Sequence, residues 1–392
     1  MTTLILALDF GGTKLTAALF GTEEETHAKT PRRQAQSSEL GVFASWRETS
    51  SCSLLDLRRV ITPGDADADY EQAAMLALAR DLLAGRQPTA VGVSFGGPVD
   101  FAAGVVRLSH HVRGWEALPL RDRLAAEFGC PVAVDNDANV AALGEHRYGA
   151  GRGLSDLMYV TVSTGVGGGW ILDGRPWRGH EGMAGEIGHI VADPAGPPCL
   201  CGKRGCVERL ASGPYMSADY VAQAVSLPGG GGADPLSEGA TGINGRDMSA
   251  DYVAQAVSLP GSGGGQEAAT PLPNPLPQGE GTSTPIPLPG GEEISRRAAA
   301  GDALAREILR RGAWALGVGI GHAANLINPQ RFILGGGVTK SGEAWWAEVR
   351  RSAVATALPE VQFDIVPAAL GDDAPLWGAL ALTELSSADG TH

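Results

Sequence analysis

The densest chemistry in the chain lies between Gly185 and Glu208, GEIGHIVADPAGPPCLCGKRGCVE, where His189, Cys199, Cys201 and Cys206 fall within one short segment. One imidazole and three thiolates at this spacing suit a closed tetrahedral zinc site. Such a site has no need of the two neighbouring acids, Glu186 and Glu208. A metal-stapled loop that presents those carboxylates to another ligand would account for both features.

Three glycine-rich turns suggest what that ligand is. Asp9-Phe10-Gly11-Gly12-Thr13-Lys14 lies between two apolar runs, as the turn of a β-hairpin with an acid at its entrance. Glycine lacks the Cβ that would keep a phosphate away from the backbone N–H groups, and the Thr13 hydroxyl adds a donor. A second turn spans Ser163 to Gly169 (STGVGGG) and a third Leu334 to Val338 (LGGGV). Any one of them reads as readily as a simple tight turn; together they are consistent with one nucleotide held from several sides. A dinucleotide fingerprint does not fit, because it must open a helix and GVGGG runs on into WILDG. Nor does a P-loop, since Lys14 is followed by Leu15 and not by Ser or Thr. A hairpin-type phosphate clamp remains.

The candidate reacting group sits in VAVDNDANVAALGE, where Asp135, Asn136, Asp137 and Asn139 crowd the junction of a strand and a helix. An Asp there is commonly just a cap. A carboxylate facing a substrate hydroxyl would instead take its proton as the oxygen attacks phosphorus.

The elements that must hold these groups are mixed α/β. LILALDF, TAALF, AVGVSF, VAVDND, LMYVTVS, GGWILDG and RFILGGG read as short strands, and YEQAAMLALARDLLAG and AGDALAREILRRGAWALGVGIGHAANLIN as helices with apolar residues at three-and-four spacing. Gly85 marks the end of the first helix. At 392 residues and 43% hydrophobic, the chain has room for two α/β lobes. Its formal net charge of −14 argues against nucleic acid as a partner. Two cysteines, Cys52 and Cys130, stand apart from the cluster, which suits a reducing, cytoplasmic setting better than a disulfide framework. Neither a signal peptide nor a membrane span is expected. MSADYVAQAVSLPG occurs at Met216–Gly229 and again at Met248–Gly261, followed by a Pro/Gly-rich tract, so residues 227–291 are expected to form a low-complexity, disordered insertion. Residues 31–59, rich in Ser and Arg without clear periodicity, read as a second insertion or a long hairpin extension.

DFGGTK, SFGGPVD, DNDAN, STGVGGG, GEIGH with CLCGKRGCVE, and NPQRFILGGGV, in this order, resemble the ROK family of sugar kinases and sugar-responsive repressors. The likeness covers most of the chain outside the two odd segments. It implies a two-lobed actin-like ATPase (ribonuclease H-like) fold with the ligand cleft between a small lobe, residues 1–147 plus 376–390, and a large lobe, residues 148–375, that carries the zinc loop. It further implies ATP, Mg²⁺ and structural Zn²⁺, and a homodimer or dimer of dimers. By position, Asp137 matches the catalytic base; Gly96, Gly97, Asn136, Glu186, His189 and Glu208 match sugar contacts; and His189 also joins Cys199, Cys201 and Cys206 on zinc. Asp9, Gly11, Gly12, Thr13 and Lys14 match the first phosphate motif, Thr164, Gly165 and Gly167 the second, and Gly335 and Gly336 the adenosine contact. The implied reaction is transfer of the ATP γ-phosphate to a hexose, glucose first, with N-acetylmannosamine, N-acetylglucosamine, fructose and allose as alternative acceptors and polyphosphate as an alternative donor. A repressor would need an N-terminal DNA-binding module, which an acidic chain opening on the first strand is not expected to contain. A sugar-binding protein without catalysis is disfavoured by the intact Asp137 and phosphate turns.

Overall fold

The computed structural model describes residues 2–24, 50–109, 112–226 and 291–388. The 227–291 insertion therefore lies outside the described residues except for Gly291, and so does the 25–49 part of the region assigned to a second insertion.

In chain order, the first half comprises β1 (Thr2–Phe10), β2 (Lys14–Glu24), β3 (Ser50–Ile61), α1 (Ala68–Leu83), β4 (Ala90–Phe95), β5 (Val99–Asp100), β6 (Val105–Val106), α2 (Leu120–Phe128), β7 (Val132–Asn136) and α3 (Asp137–Tyr148). The second half comprises β8 (Leu157–Val162), β9 (Val166–Leu172), β10 (Arg175–Trp177), α4 (Val207–Ala211), α5 (Gly213–Ser226), α6 (Gly291–Ala299), α7 (Ala303–Ile327), β11 (Arg331–Gly335), α8 (Glu343–Thr356), β12 (Asp364–Pro367) and α9 (Ala374–Ala388).

Two five-stranded sheets repeat one plan. The first runs β3-β2-β1-β4-β7, with β1–β3 antiparallel and β4 and β7 parallel to β1. The second runs β10-β9-β8-β11-β12, again with an antiparallel trio followed by two parallel strands. In β1, Leu6 and Leu8 enter one core while Ile5 and Ala7 enter another. Burial on both faces is why LILAL is a continuous apolar run and not an alternating one.

Of the two readings of residues 31–59, the described part, Ser50–Arg59, fits the hairpin extension: these residues belong to β3, paired antiparallel along β2 from Glu24↔Ser50 to Lys14↔Ile61. The strand lies at the sheet edge and most of its side chains are exposed, so no buried period marked it.

Between the sheets lie α3 and α9, whose Val140, Leu143, Leu376 and Leu380 share one core with Ile5 and Ala7 of the first sheet and Tyr159 and Ile333 of the second. The two helices cross at backbone distance. A Cβ on Gly144 would strike the Ala374 carbonyl, and one on Gly378 the Val140 carbonyl. The chain passes between the sheets through the connections after α3 and before α9, and Glu145, fully buried, grips both. Its carboxylate accepts from the N–H groups of Ala150 (2.7 Å), Ala369 (3.2 Å) and Leu370 (2.8 Å).

Candidate active site

The parallel register of the first sheet aligns three strand ends. Asp9 pairs with Ser94 and Phe10 with Phe95, while Ser94 lies opposite Asp135 and Phe95 opposite Asn136. The next residues, Gly11, Gly96 and Asp137, therefore emerge together at the carboxyl edge, where open α/β sheets bind ligands. Behind this edge Trp115 packs edge-on against Phe10 and Phe95, with ring centroids 5.5 and 4.7 Å away, and donates its indole N–H to Glu71 (2.8 Å). Both glycine turns thus rest on one aromatic wall.

Asp137 is the first residue of α3. Asn136 caps the helix, its Oδ1 accepting from the N–H groups of Ala138 (3.0 Å) and Asn139 (3.4 Å). The Asn136 amide donates to the Gly97 carbonyl (3.1 Å) and to Asp137 Oδ1 (2.9 Å), which also accepts from Ala138 N–H (2.8 Å). Asp137 Oδ2 takes no part in these bonds and lies beside Gly96: a Cβ there would stand 3.8 Å from Oδ2, 3.7 Å from Gly12 N and 3.2 Å from the Phe10 carbonyl. One carboxylate oxygen is fixed and the other lies beside Gly96, where the first glycine turn also packs.

The surroundings favour a proton on this group. Burial, then the neighbouring charges of Asp9 and Glu186, push the Asp137 pKa up to about 7 against the opposing hydrogen bonds of Ala138 and Asn136. Asp9, only 7% exposed, is raised to about 6 by burial, although Ser94 Oγ donates to it at 2.7 Å. A buried Asp9 and a partly buried Asp137 within electrostatic reach of each other form the kind of site a cation or a substrate proton would relieve.

The second glycine turn approaches α3 from the other sheet. In β9, Gly169 lies against the backbone of Ala138 and Asn139, and a Cβ on Gly167 would touch Ala138 Cβ at 3.7 Å. On the same strand Gly168 meets Gly185 and Val166 meets Gly188 at backbone distance, so the GEIGH segment is laid directly on β9. This brings Glu186 within the electrostatic reach of Asp137. Glu208, at the start of α4, accepts from Val166 N–H (3.0 Å), and a Cβ on Gly165 would stand 2.8 Å from its Oε2. The structure thus ties Glu208 to the second glycine turn as well as to the zinc-type loop. Gly335 packs on the Tyr159 ring, and Gly336, with φ +91°, abuts the Val162 backbone; only Gly337 of this turn faces open space.

The metal-type residues converge. Nδ1 or Nε2 of His189 and the Sγ atoms of Cys199, Cys201 and Cys206 all lie within 4.8 Å of one another, with Cys201 and Cys206 3.5 Å apart. His189 Nδ1 is buried with no hydrogen-bond partner, and burial pushes the Cys206 thiol up. An imidazole and three thiolates arranged this way fit zinc, which would satisfy the orphaned nitrogen and keep the sulfurs as thiolates. Arg209, 1% exposed, holds the loop from behind, donating to the Pro198 carbonyl (3.1 Å) and to both oxygens of Asp219 (2.9 and 2.8 Å). Sequence reasoning missed Arg209, Glu71 and Trp115. The repeated Phe-Gly-Gly of DFGGTK and SFGGPVD was the one available sign that these two turns sit side by side.

The glucokinase of Halalkalibacterium halodurans is 33% identical over 295 residues, 74% of each chain. A ROK hexokinase from Thermus thermophilus superposes with a TM-score of 0.67 at 27% identity, covering 99% of this chain and 100% of that one. A ROK family glucokinase from Streptomyces griseus, solved with glucose and AMPPNP, gives a TM-score of 0.63 at 28% identity, covering 97% and 98%. The fold is therefore the actin-like ATPase fold of these kinases. The ROK family model matches residues 67–255 and 287–385, a span that holds the α3 carboxylate, the second and third glycine turns and the Cys/His loop. By that match and by its relatives, the chain belongs to the ROK family.

Proposed function

We propose that the protein is a sugar kinase that transfers the γ-phosphoryl group of ATP to a hexose hydroxyl, with glucose as acceptor and Asp137 as general base. The observation that carries this reading is the convergence at the α3 N-terminus: a carboxylate with one oxygen fixed and the other beside the Gly96 turn.

Asp137 Oδ2 would accept the hydroxyl proton as that oxygen attacks phosphorus. Gly11, Gly12, Thr13 and Lys14 on one side, and Thr164, Gly165 and Gly167 on the other, would hold the phosphates through backbone N–H groups, with Asp9 behind them. Gly335 and Gly336 would shape the adenosine end. Mg²⁺ accompanying ATP supplies charge neutralisation on the transferring group. Gly96, Gly97, Asn136, Glu186, His189 and Glu208 would orient the sugar. Here Asn136 has a second duty, because its amide hydrogens already bridge Gly97 and Asp137. His189, Cys199, Cys201 and Cys206 would complete the coordination of a structural zinc and leave no open position for water. Their part is to fix Glu186 and His189 against the sugar.

A coupled ADP-release assay over glucose, other hexoses and N-acetylhexosamines tests the reading. Glucose-dependent release by the wild type, lost in Asp137→Asn with glucose binding retained, is expected. Sugar binding without any ADP release from the wild type would point to a sensor instead.

A further inference from the structure

We propose that Arg178 is a positioning residue for the base, clamping Asp135 against Phe101 and so holding the Asn136–Asp137 turn in place; this rests on the kinase reading. Arg178 directly follows β10, at the head of the chain that leads to Glu186 and His189. Its Nε donates to Asp135 Oδ2 at 2.7 Å, and its guanidinium carbon stands 3.6 Å from the centroid of the Phe101 ring. Phe101 lies between β5 and β6, and Asp135 on β7, so one guanidinium joins three segments that are far apart in sequence.

What Asp135 does with its other oxygen gives the clamp its purpose. Oδ1 accepts from Asn136 N–H (2.8 Å) and from the Asn139 amide (3.3 Å), on either side of Asp137. The Asp135 side chain is 3% exposed and that of Arg178 20%. Arg178 Nη2 is buried without a hydrogen-bond partner. Desolvation offsets much of what such a pair gains, and the unsatisfied Nη2 adds to the cost, so the clearer consequence of the contact is orientation. A planar guanidinium can lie flat on Phe101 while its Nε meets the carboxylate edge; a lysine ammonium can do only one of these.

The test measures kcat, sugar KM, ATP KM and Tm for the wild type, Arg178→Lys, Arg178→Ala, Asp135→Asn and the double variant Arg178→Ala/Asp135→Asn. Arg178→Ala is expected to lower kcat about 30-fold with both KM values within about threefold, since a displaced base slows the chemical step more than binding. Arg178→Lys should recover part of the loss. The double variant should be no worse than Arg178→Ala, because it no longer buries an unpaired carboxylate beside the base. Losses that multiply in the double variant, a kcat unchanged in both Arg178 variants, or a defect confined to sugar KM would each overturn the clamp. An inactive wild type would sink the kinase reading itself, and if Arg178→Ala fails to fold, Arg178→Lys decides.

Discussion

As the proposed base, Asp137 would combine a catalytic requirement with a folding liability. With its pKa at about 7 in the free protein, kcat/KM is expected to fall as pH drops below about 7 and the base gains a proton. Stability should run the other way. A carboxyl whose folded value lies above its unfolded value of 3.8 favours the folded state at low pH, and that advantage is lost as pH rises from about 4 through 7. Asp9, raised to about 6, acts in the same direction. Asp137→Asn should therefore reduce turnover by roughly 10²–10⁴-fold while raising Tm at pH 8. A pH–rate profile and melting curves at pH 5 and 8 check both halves, and a lower Tm at pH 8 would contradict the burial argument. The candidacy of this acid was legible in DNDAN, but its free oxygen was not, since that depends on Gly96 and Gly12 arriving from two other strand ends.

At the scale of elements, the junction between the sheets is built on α3 and α9. Glu145→Ala would leave three backbone N–H groups in or near the interior without an acceptor, costing at least about 3 kcal/mol. Glu145→Gln should recover only part of this, because its amide places a donor against donors. Gly378→Ala would press a methyl into the Val140 carbonyl and cost about 2–3 kcal/mol. Urea unfolding measures all three. Local pattern identified the start of α3 and most of the strands, since their apolar runs reflect burial in the sheets, but it did not mark α9. It missed β3, whose exposed edge position imposes no period, and it gave no reason for Glu145, whose partners lie 5 and about 225 residues away along the chain.

For the whole molecule, two interventions separate support from decoration. If the proposed zinc is present, chelation should loosen the Gly185–Glu208 segment and raise the sugar KM with a smaller effect on kcat, because metal binding there would be partly folding energy; hydrogen exchange and kinetics on the chelated protein check it. Replacing residues 228–290 by a Gly/Ser linker should leave folding and turnover largely intact. Gly291 packs beside Gly213, the first residue of α5, so the linker must return along the length of that 14-residue helix, about 20 Å. About twelve residues suffice for that return. A large loss of activity with such a linker would show that the segment takes part in the site.

By itself the sequence determined the candidate inventory: the Cys/His cluster of one loop, the glycine turns, the acid at a helix start, and their order. These are local patterns, and each carries its chemistry in residue type and spacing. Only the tertiary structure decided which of them meet. Parallel register places Asp9, Ser94 and Asp135 in one row, glycine contacts lay GEIGH on β9, and a lone arginine joins Asp135 to Phe101. Contacts between residues tens to hundreds of positions apart leave no periodic trace along the chain, because the packing that creates them acts only once the sheets have formed.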